Sequence, residues 1–141
     1  MAHSLKKAAA AGFAGTAVMT MLMLVAPKMG MPRMDIAGML ASKMGGIIAL
    51  GWMAHFVIGS VLAIIYAAFL ASRIPGPGLV RGVIYSLIPW LVSQMMVMPM
   101  MGMGLFGGSV ALAGGSLMGH MVYGAVLGGI LGTAECSADC A

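Results

Sequence analysis

Four long apolar stretches without a charged residue constrain what this chain can fold into. They run over residues 8–26, 46–71, 82–98 and 109–133. A helix rises about 1.5 Å per residue, so about 17–25 apolar residues cross the hydrocarbon core of a bilayer. Only 7% of the residues are charged, against about 25% in a typical soluble domain. The sequence therefore predicts one all-α integral membrane domain with four transmembrane helices.

The loop of residues 27–45, between the first two stretches, contains two prolines, three basic residues and Asp35. Its apolar positions Ile36, Met39 and Leu40 share one helical face, which predicts a short interfacial helix. The termini and the turn between the second and third stretches carry four basic residues, which are Lys6, Lys7, Arg73 and Arg81. Because the side with more lysine and arginine is usually cytoplasmic, we predict that both termini are cytoplasmic.

One sequence pattern occurs twice. Residues 53–65 and 118–130 both fit M-x-H-x-V-x-G-x-V-L-x-x-I, at the start of the second and fourth stretches. The chain is therefore predicted to be two helical-hairpin repeats. Each repeat has an even number of spans, so both run in the same direction and are related by an axis along the membrane normal. This arrangement places His55 and His120 at the same depth.

Each of these histidines is followed four residues later by a glycine, Gly59 or Gly124. Residues four apart share a helical face, so the glycine leaves a notch beside the imidazole. The notch admits either the backbone of another helix or a flat cofactor. An ionisable residue at membrane depth indicates a functional site, and neutral imidazole binds haem iron, copper and zinc. Haem b between His55 and His120 is the first hypothesis.

A structural role for the two histidines is the alternative. Neutral imidazoles can bond to a neighbouring carbonyl, to Ser86, Ser93 or Gln94, or to each other, and so hold helices together.

Methionine is unusually abundant, with 18 residues. Apart from Met1, all of them lie in the windows 19–53 and 95–121, which four spans bring to the membrane half that contains the histidines. Thioether sulfur is a soft ligand suited to Cu(I), but it also packs irregular gaps. The candidate metal ligands are His55, His120, Met19, Met23, Met53, Met118 and Met121.

Other chemistry is not indicated. The sequence contains no phosphate-binding glycine loop, no candidate triad and no carboxylate pair at membrane depth, so we do not expect an enzyme. The basic residues are scattered between apolar blocks, which does not indicate nucleic-acid binding. Cys136 and Cys140 lie close together in the tail, where they can bind a metal, form a disulfide or belong to a mobile segment.

Three segments carry a family resemblance. They are GTAVMT at 15–20, GWMAH at 51–55 and MGHMVYG at 118–124. In these segments the chain resembles a family of small bacterial four-helix membrane proteins catalogued as a domain of unknown function. The resemblance implies the bacterial inner membrane and supplies no activity.

Three functions are thus expected from the sequence. The first is a small membrane subunit that binds haem b and transfers electrons within a larger respiratory or photosynthetic complex. The second is a structural accessory subunit without a cofactor, whose glycine faces contact partner helices or a second copy of the chain. The third is a copper-handling protein that uses its methionine-rich side.

Overall fold

The computed structural model describes residues 5–139, and the side chains of residues 5–132. Residues 5–139 are helical apart from short connections and contain no strand. The helices are α1 (Leu5–Val25), α2 (Ile36–Ser42), α3 (Ile48–Ile65), α4 (Gly78–Val92), α5 (Met98–Met100) and α6 (Val110–Asp139). π-helical turns at Tyr66–Leu70 and Ser93–Val97 extend α3 and α4, and 3-10 turns lie at Ala26–Met29 and Leu105–Gly108.

Four helical segments are long and apolar enough to cross a membrane, which confirms the predicted all-α membrane fold. They are Leu5–Met29, Ile48–Leu70, Gly78–Met100 and Val110–Gly132. Two of them begin earlier than predicted and include Lys6, Lys7 and Arg81. The reason is that backbone hydrogen bonding continues a helix beyond the apolar stretch, so the first charged residue does not mark its end.

The bundle consists of two helical hairpins. Helix α1 packs on α3, α4 packs on α6, and the hairpins meet mainly where α1 contacts α6. In both hairpins the two helices approach each other most closely at glycines. A Cβ built on Gly12 would lie 2.6 Å from the Gly59 carbonyl oxygen, and one on Gly82 would meet the Gly124 carbonyl oxygen. Gly59 and Gly124 are the repeat-equivalent glycines, so the two hairpins use the same position for close helix approach.

The short helix predicted in the first loop is present as α2. Asp35 caps its first turn by accepting a hydrogen bond from the Gly38 amide at 2.8 Å. Helix α2 packs on α3 through the buried Ala37 and Ala41, whose backbone lies against Gly51. Its predicted apolar face, which is formed by Ile36, Met39 and Leu40, lines a cavity between α2 and the spans.

Candidate functional site

A cavity of about 160 Å³ lies between α2 and the surrounding spans, and its walls are predominantly apolar. We call it the methionine cavity. It is lined by six methionines, which are Met19, Met23, Met34, Met39, Met98 and Met101. His55 and His120 also line it, so the two histidines of the repeat do face one space. Thr16, Ser93, Ser116 and Tyr123 supply further polar side chains.

His55 is held by a threonine of the neighbouring helix. Its Nε2 lies 3.1 Å from the Thr20 hydroxyl oxygen, and this imidazole is 8% exposed. The same hydroxyl donates to the Thr16 carbonyl oxygen at 2.7 Å. Because a hydroxyl has only one hydrogen to donate, Thr20 must accept from His55. Nε2 therefore carries the hydrogen, and Nδ1 of the neutral ring keeps its lone pair.

His120 is held by its own helix, in the opposite tautomer. Its Nδ1 lies 2.8 Å from the Ser116 carbonyl oxygen. A carbonyl can only accept, so Nδ1 carries the hydrogen and Nε2 of the neutral ring keeps its lone pair. The Ser116 hydroxyl in turn accepts from Nε2 of the buried Gln94 at 3.1 Å. This wall of the cavity is thus fixed by hydrogen bonds.

The two imidazoles share one chemical state. In each ring one nitrogen is anchored to a protein oxygen, and the other has a lone pair. Histidines that bind metals show this arrangement, because a second hydrogen bond fixes the tautomer and the ring orientation. Both histidines can therefore act as neutral nitrogen ligands without losing the hydrogen bonds that position them.

The glycine notches beside the histidines are filled by helices. A Cβ on Gly59 would overlap the Thr16 hydroxyl, and one on Gly124 would overlap the Gly82 carbonyl and lie 2.7 Å from Cβ of Ser86. A neighbouring helix thus occupies each notch, through the Thr16 side chain at Gly59 and through the Gly82 backbone at Gly124. Neither glycine leaves open space at its Cα for a macrocycle.

The predicted methionine ligands divide into two groups. Met19 and Met23 line the methionine cavity. The Met23 sulfur lies 3.4 Å from the position that a Cβ would occupy on Gly119, the residue before His120.

Met53, Met118 and Met121 do not line the cavity, and they are 62%, 42% and 41% exposed on the outside of the bundle. Met53 and Met118 each precede a histidine by two residues. Residues two apart lie about 200° apart around a helix, so these sulfurs point away from the imidazoles. Met53, Met118 and Met121, which were candidate metal ligands, are therefore not part of this site.

Several residues of the site were not predicted from the sequence. Four of them are methionines inside the two methionine windows, namely Met34, Met39, Met98 and Met101. The windows indicated a methionine-rich region but not which of its side chains face the cavity. Thr20 and Ser116 had a weaker signal, as polar residues within apolar helices. The side chain of Cys136 and the whole of Cys140 lie outside the described part of the chain, and their predicted roles stay predictions.

Among the described residues, no group of three or more His, Cys, Asp or Glu side chains could hold a metal ion. A metal in the methionine cavity would therefore need thioether ligands beside the two imidazoles. This set differs from that of structural zinc sites, which use four cysteines or histidines.

Comparison with known proteins identifies the family without adding an activity. No curated protein and no solved structure matches this chain. Residues 2–140 match a family described as "Family of unknown function (DUF6789)". The match confirms the resemblance to an uncharacterised family and covers all four spans. The chain belongs to the family of unknown function DUF6789.

Proposed function

We propose that this protein is a non-enzymatic membrane protein that binds Cu(I) in the methionine cavity and handles copper within the bilayer. One observation carries the proposal, namely that six thioethers and two oriented imidazoles line the same cavity. Thioether sulfur and imidazole nitrogen are both ligands that Cu(I) accepts, and thioether selects soft ions over hard ones.

The charge of the lining favours a monovalent ion. Among the described residues, those that line the methionine cavity include no aspartate, glutamate, lysine or arginine. An uncompensated charge in an apolar space is costly, and the cost rises with the charge. A divalent ion such as Zn²⁺ is normally accompanied by thiolates or carboxylates that offset part of its charge. Neutral ligands therefore suit Cu(I) better than Zn²⁺.

The primary ligands that we assign are Nδ1 of His55, Nε2 of His120 and the sulfurs of Met19 and Met23. Both methionines belong to α1, four residues apart, and both approach Gly119 beside His120. Met39, Met98 and Met101, which line the methionine cavity alone, provide alternative thioethers. A set with more soft ligands than one ion needs lets the ion exchange ligands, which suits a protein that moves copper rather than one that stores it.

Haem b is the other cofactor hypothesis for the same histidines, and their shared cavity is the observation in its favour. A macrocycle between the imidazoles needs open space along both helices. Gly59 and Gly124 are instead in contact with α1 and α4, and the cavity measures about 160 Å³. These two observations make copper the better supported ligand.

An anaerobic titration tests the proposal. The protein is purified in detergent, with Cys136→Ser and Cys140→Ser in every sample because thiolates also bind Cu(I). Cu(I) is supplied from a chromophoric chelator that contains no sulfur. We expect the protein to remove about one Cu(I) per chain from the chelator, and excess Zn²⁺ not to prevent it. Complete retention of Cu(I) by the chelator would contradict the copper function and favour a structural accessory subunit. A Soret band in the purified protein would favour haem.

A further inference from the structure

A second cavity of about 90 Å³ adjoins the methionine cavity. We call it the outer cavity. Three residues line both cavities and therefore form the wall between them, namely Met23, Met34 and Ile36. Two of these three carry a thioether. Methionine side chains are flexible, so this shared wall can adjust its shape.

The outer cavity differs from the methionine cavity in polarity. It is lined by Arg33 and Asp35, both of which are exposed. These are the only charged residues that line either cavity within the described part of the chain. Charged side chains make the outer cavity the more polar of the two, whereas the methionine cavity is lined by uncharged and mostly apolar residues. An ion that enters through the outer cavity therefore keeps polar partners until it reaches the wall.

Thr20 connects the two spaces chemically. It lines the outer cavity, and its hydroxyl accepts the hydrogen bond from His55, which lines the methionine cavity. His55 is therefore in contact with a residue of the outer cavity. Trp52 also lines the outer cavity and meets the His55 ring edge-on, with ring centroids 6.2 Å apart.

On the basis of the proposed copper site, we infer that the outer cavity is the route by which Cu(I) reaches the methionine cavity. Met23 and Met34 pass the ion across the wall between the cavities. A bare cation at this wall would lose its hydration without replacement. Two thioethers at the crossing keep the ion ligated, because one sulfur binds before the previous ligand leaves. No oxidation state changes, and neutral thioether ligands exchange at a monovalent ion.

The route has a distinct kinetic signature. A residue that acts only on the path changes the rates of loading and release by the same factor, and leaves the affinity unchanged. A residue that acts as a ligand in the final site changes the affinity. Met34 belongs to the wall, whereas Met39, on α2, lines the methionine cavity alone. Comparing variants of Met34 and Met39 therefore distinguishes a residue on the path from a residue of the final site.

The experiment compares Met34→Leu with Met39→Leu in the cysteine-free protein. Leucine conserves the volume and removes the sulfur, so folding is expected to be retained. Cu(I) is delivered from the same chelator in rapid mixing, and loading is followed by the loss of the chelator colour. For Met34→Leu we expect loading and release to slow about tenfold, which corresponds to a barrier about 1.4 kcal/mol higher. Its affinity should be unchanged, and Met39→Leu should load at the rate of the parent protein.

Loading of Met34→Leu at the parent rate would overturn the route, as would equal slowing of both variants. A change in its affinity at an unchanged loading rate would also overturn the route, because it would make Met34 a ligand rather than a path residue. Failure of the parent protein to bind Cu(I) is a separate outcome that contradicts the proposed function itself.

Discussion

Replacing both His55 and His120 with phenylalanine is expected to abolish Cu(I) binding by the cysteine-free protein. Each single replacement should weaken the affinity at least as much as loss of an outer hydrogen-bond partner does, which is about 10–100-fold. Phenylalanine keeps an aromatic ring in the cavity while removing the lone pair. The Thr20 hydroxyl still donates to the Thr16 carbonyl, so neither change leaves a buried donor without an acceptor. Competition against the chelator measures the affinity.

Thr20 provides the matched control for this prediction. Thr20→Ser keeps the hydroxyl that accepts from His55, whereas Thr20→Val removes it and leaves the tautomer of His55 unfixed. We expect serine to keep nearly the parent affinity and valine to lose about tenfold, at the lower end for an outer hydrogen-bond partner. Thermal unfolding of each variant separates loss of ligation from loss of fold. Parent-like affinity in both single histidine variants would contradict imidazole ligation.

Replacing Gly82 with alanine is expected to disrupt the α4–α6 hairpin. The added Cβ would overlap the Gly124 carbonyl oxygen and lie 2.7 Å from the Gly128 amide nitrogen. Both neighbours are backbone atoms, so no side-chain rotation relieves the clash and the helices must move apart. Overpacking against side chains costs about 1–3 kcal/mol, and rigid backbone raises that cost. We expect a large fall in the melting temperature of the protein in detergent. Thermal unfolding monitored by circular dichroism measures it.

The control for Gly82→Ala is Gly114→Ala in α6. A Cβ built on Gly114 meets nothing within 4 Å, and alanine favours a helix over glycine by about 1 kcal/mol. The melting temperature of this variant should be unchanged or slightly raised. Equal melting temperatures for the two variants would show that the glycine contact does not hold the hairpin together.

The sequence predicted the architecture well because length and apolar composition identify a spanning helix almost by themselves. The four stretches and the short helix in the first loop both followed from the sequence pattern. The repeat also indicated which glycines are equivalent. The structure adds that Gly59 and Gly124 fit against Gly12 and Gly82 in equivalent hairpins.

The facing of the methionines could not be predicted, and the reason is physical. A helix in lipid is apolar on its outer and inner faces alike, so hydrophobic periodicity does not show which face meets the protein. Met19 is 7% exposed and Met53 is 62% exposed, although both lie in uncharged apolar stretches. Counting positions from each histidine gives a better guide than hydrophobicity does.

The hydrogen-bond partners of the histidines show the same limit. Ser86, Ser93 and Gln94 were the side chains named as partners. Ser86 instead donates to the Val83 carbonyl oxygen, and Gln94 donates to the hydroxyl groups of Ser93 and Ser116. His55 pairs with Thr20, which was not predicted, whereas His120 pairs with a backbone carbonyl, which was one of the predicted kinds of partner. Pairing between helices depends on their rotation about their axes, which no local pattern records.

X-ray absorption at the copper edge tests the central claim most directly. The sample is the cysteine-free protein loaded with one Cu(I) per chain, so any sulfur bound to the metal belongs to a methionine. We predict a first shell that contains both sulfur and nitrogen, with the nitrogen contribution reduced in His55→Phe. A first shell of nitrogen or oxygen alone would contradict thioether ligation, and with it the role of the methionine cavity as a copper site.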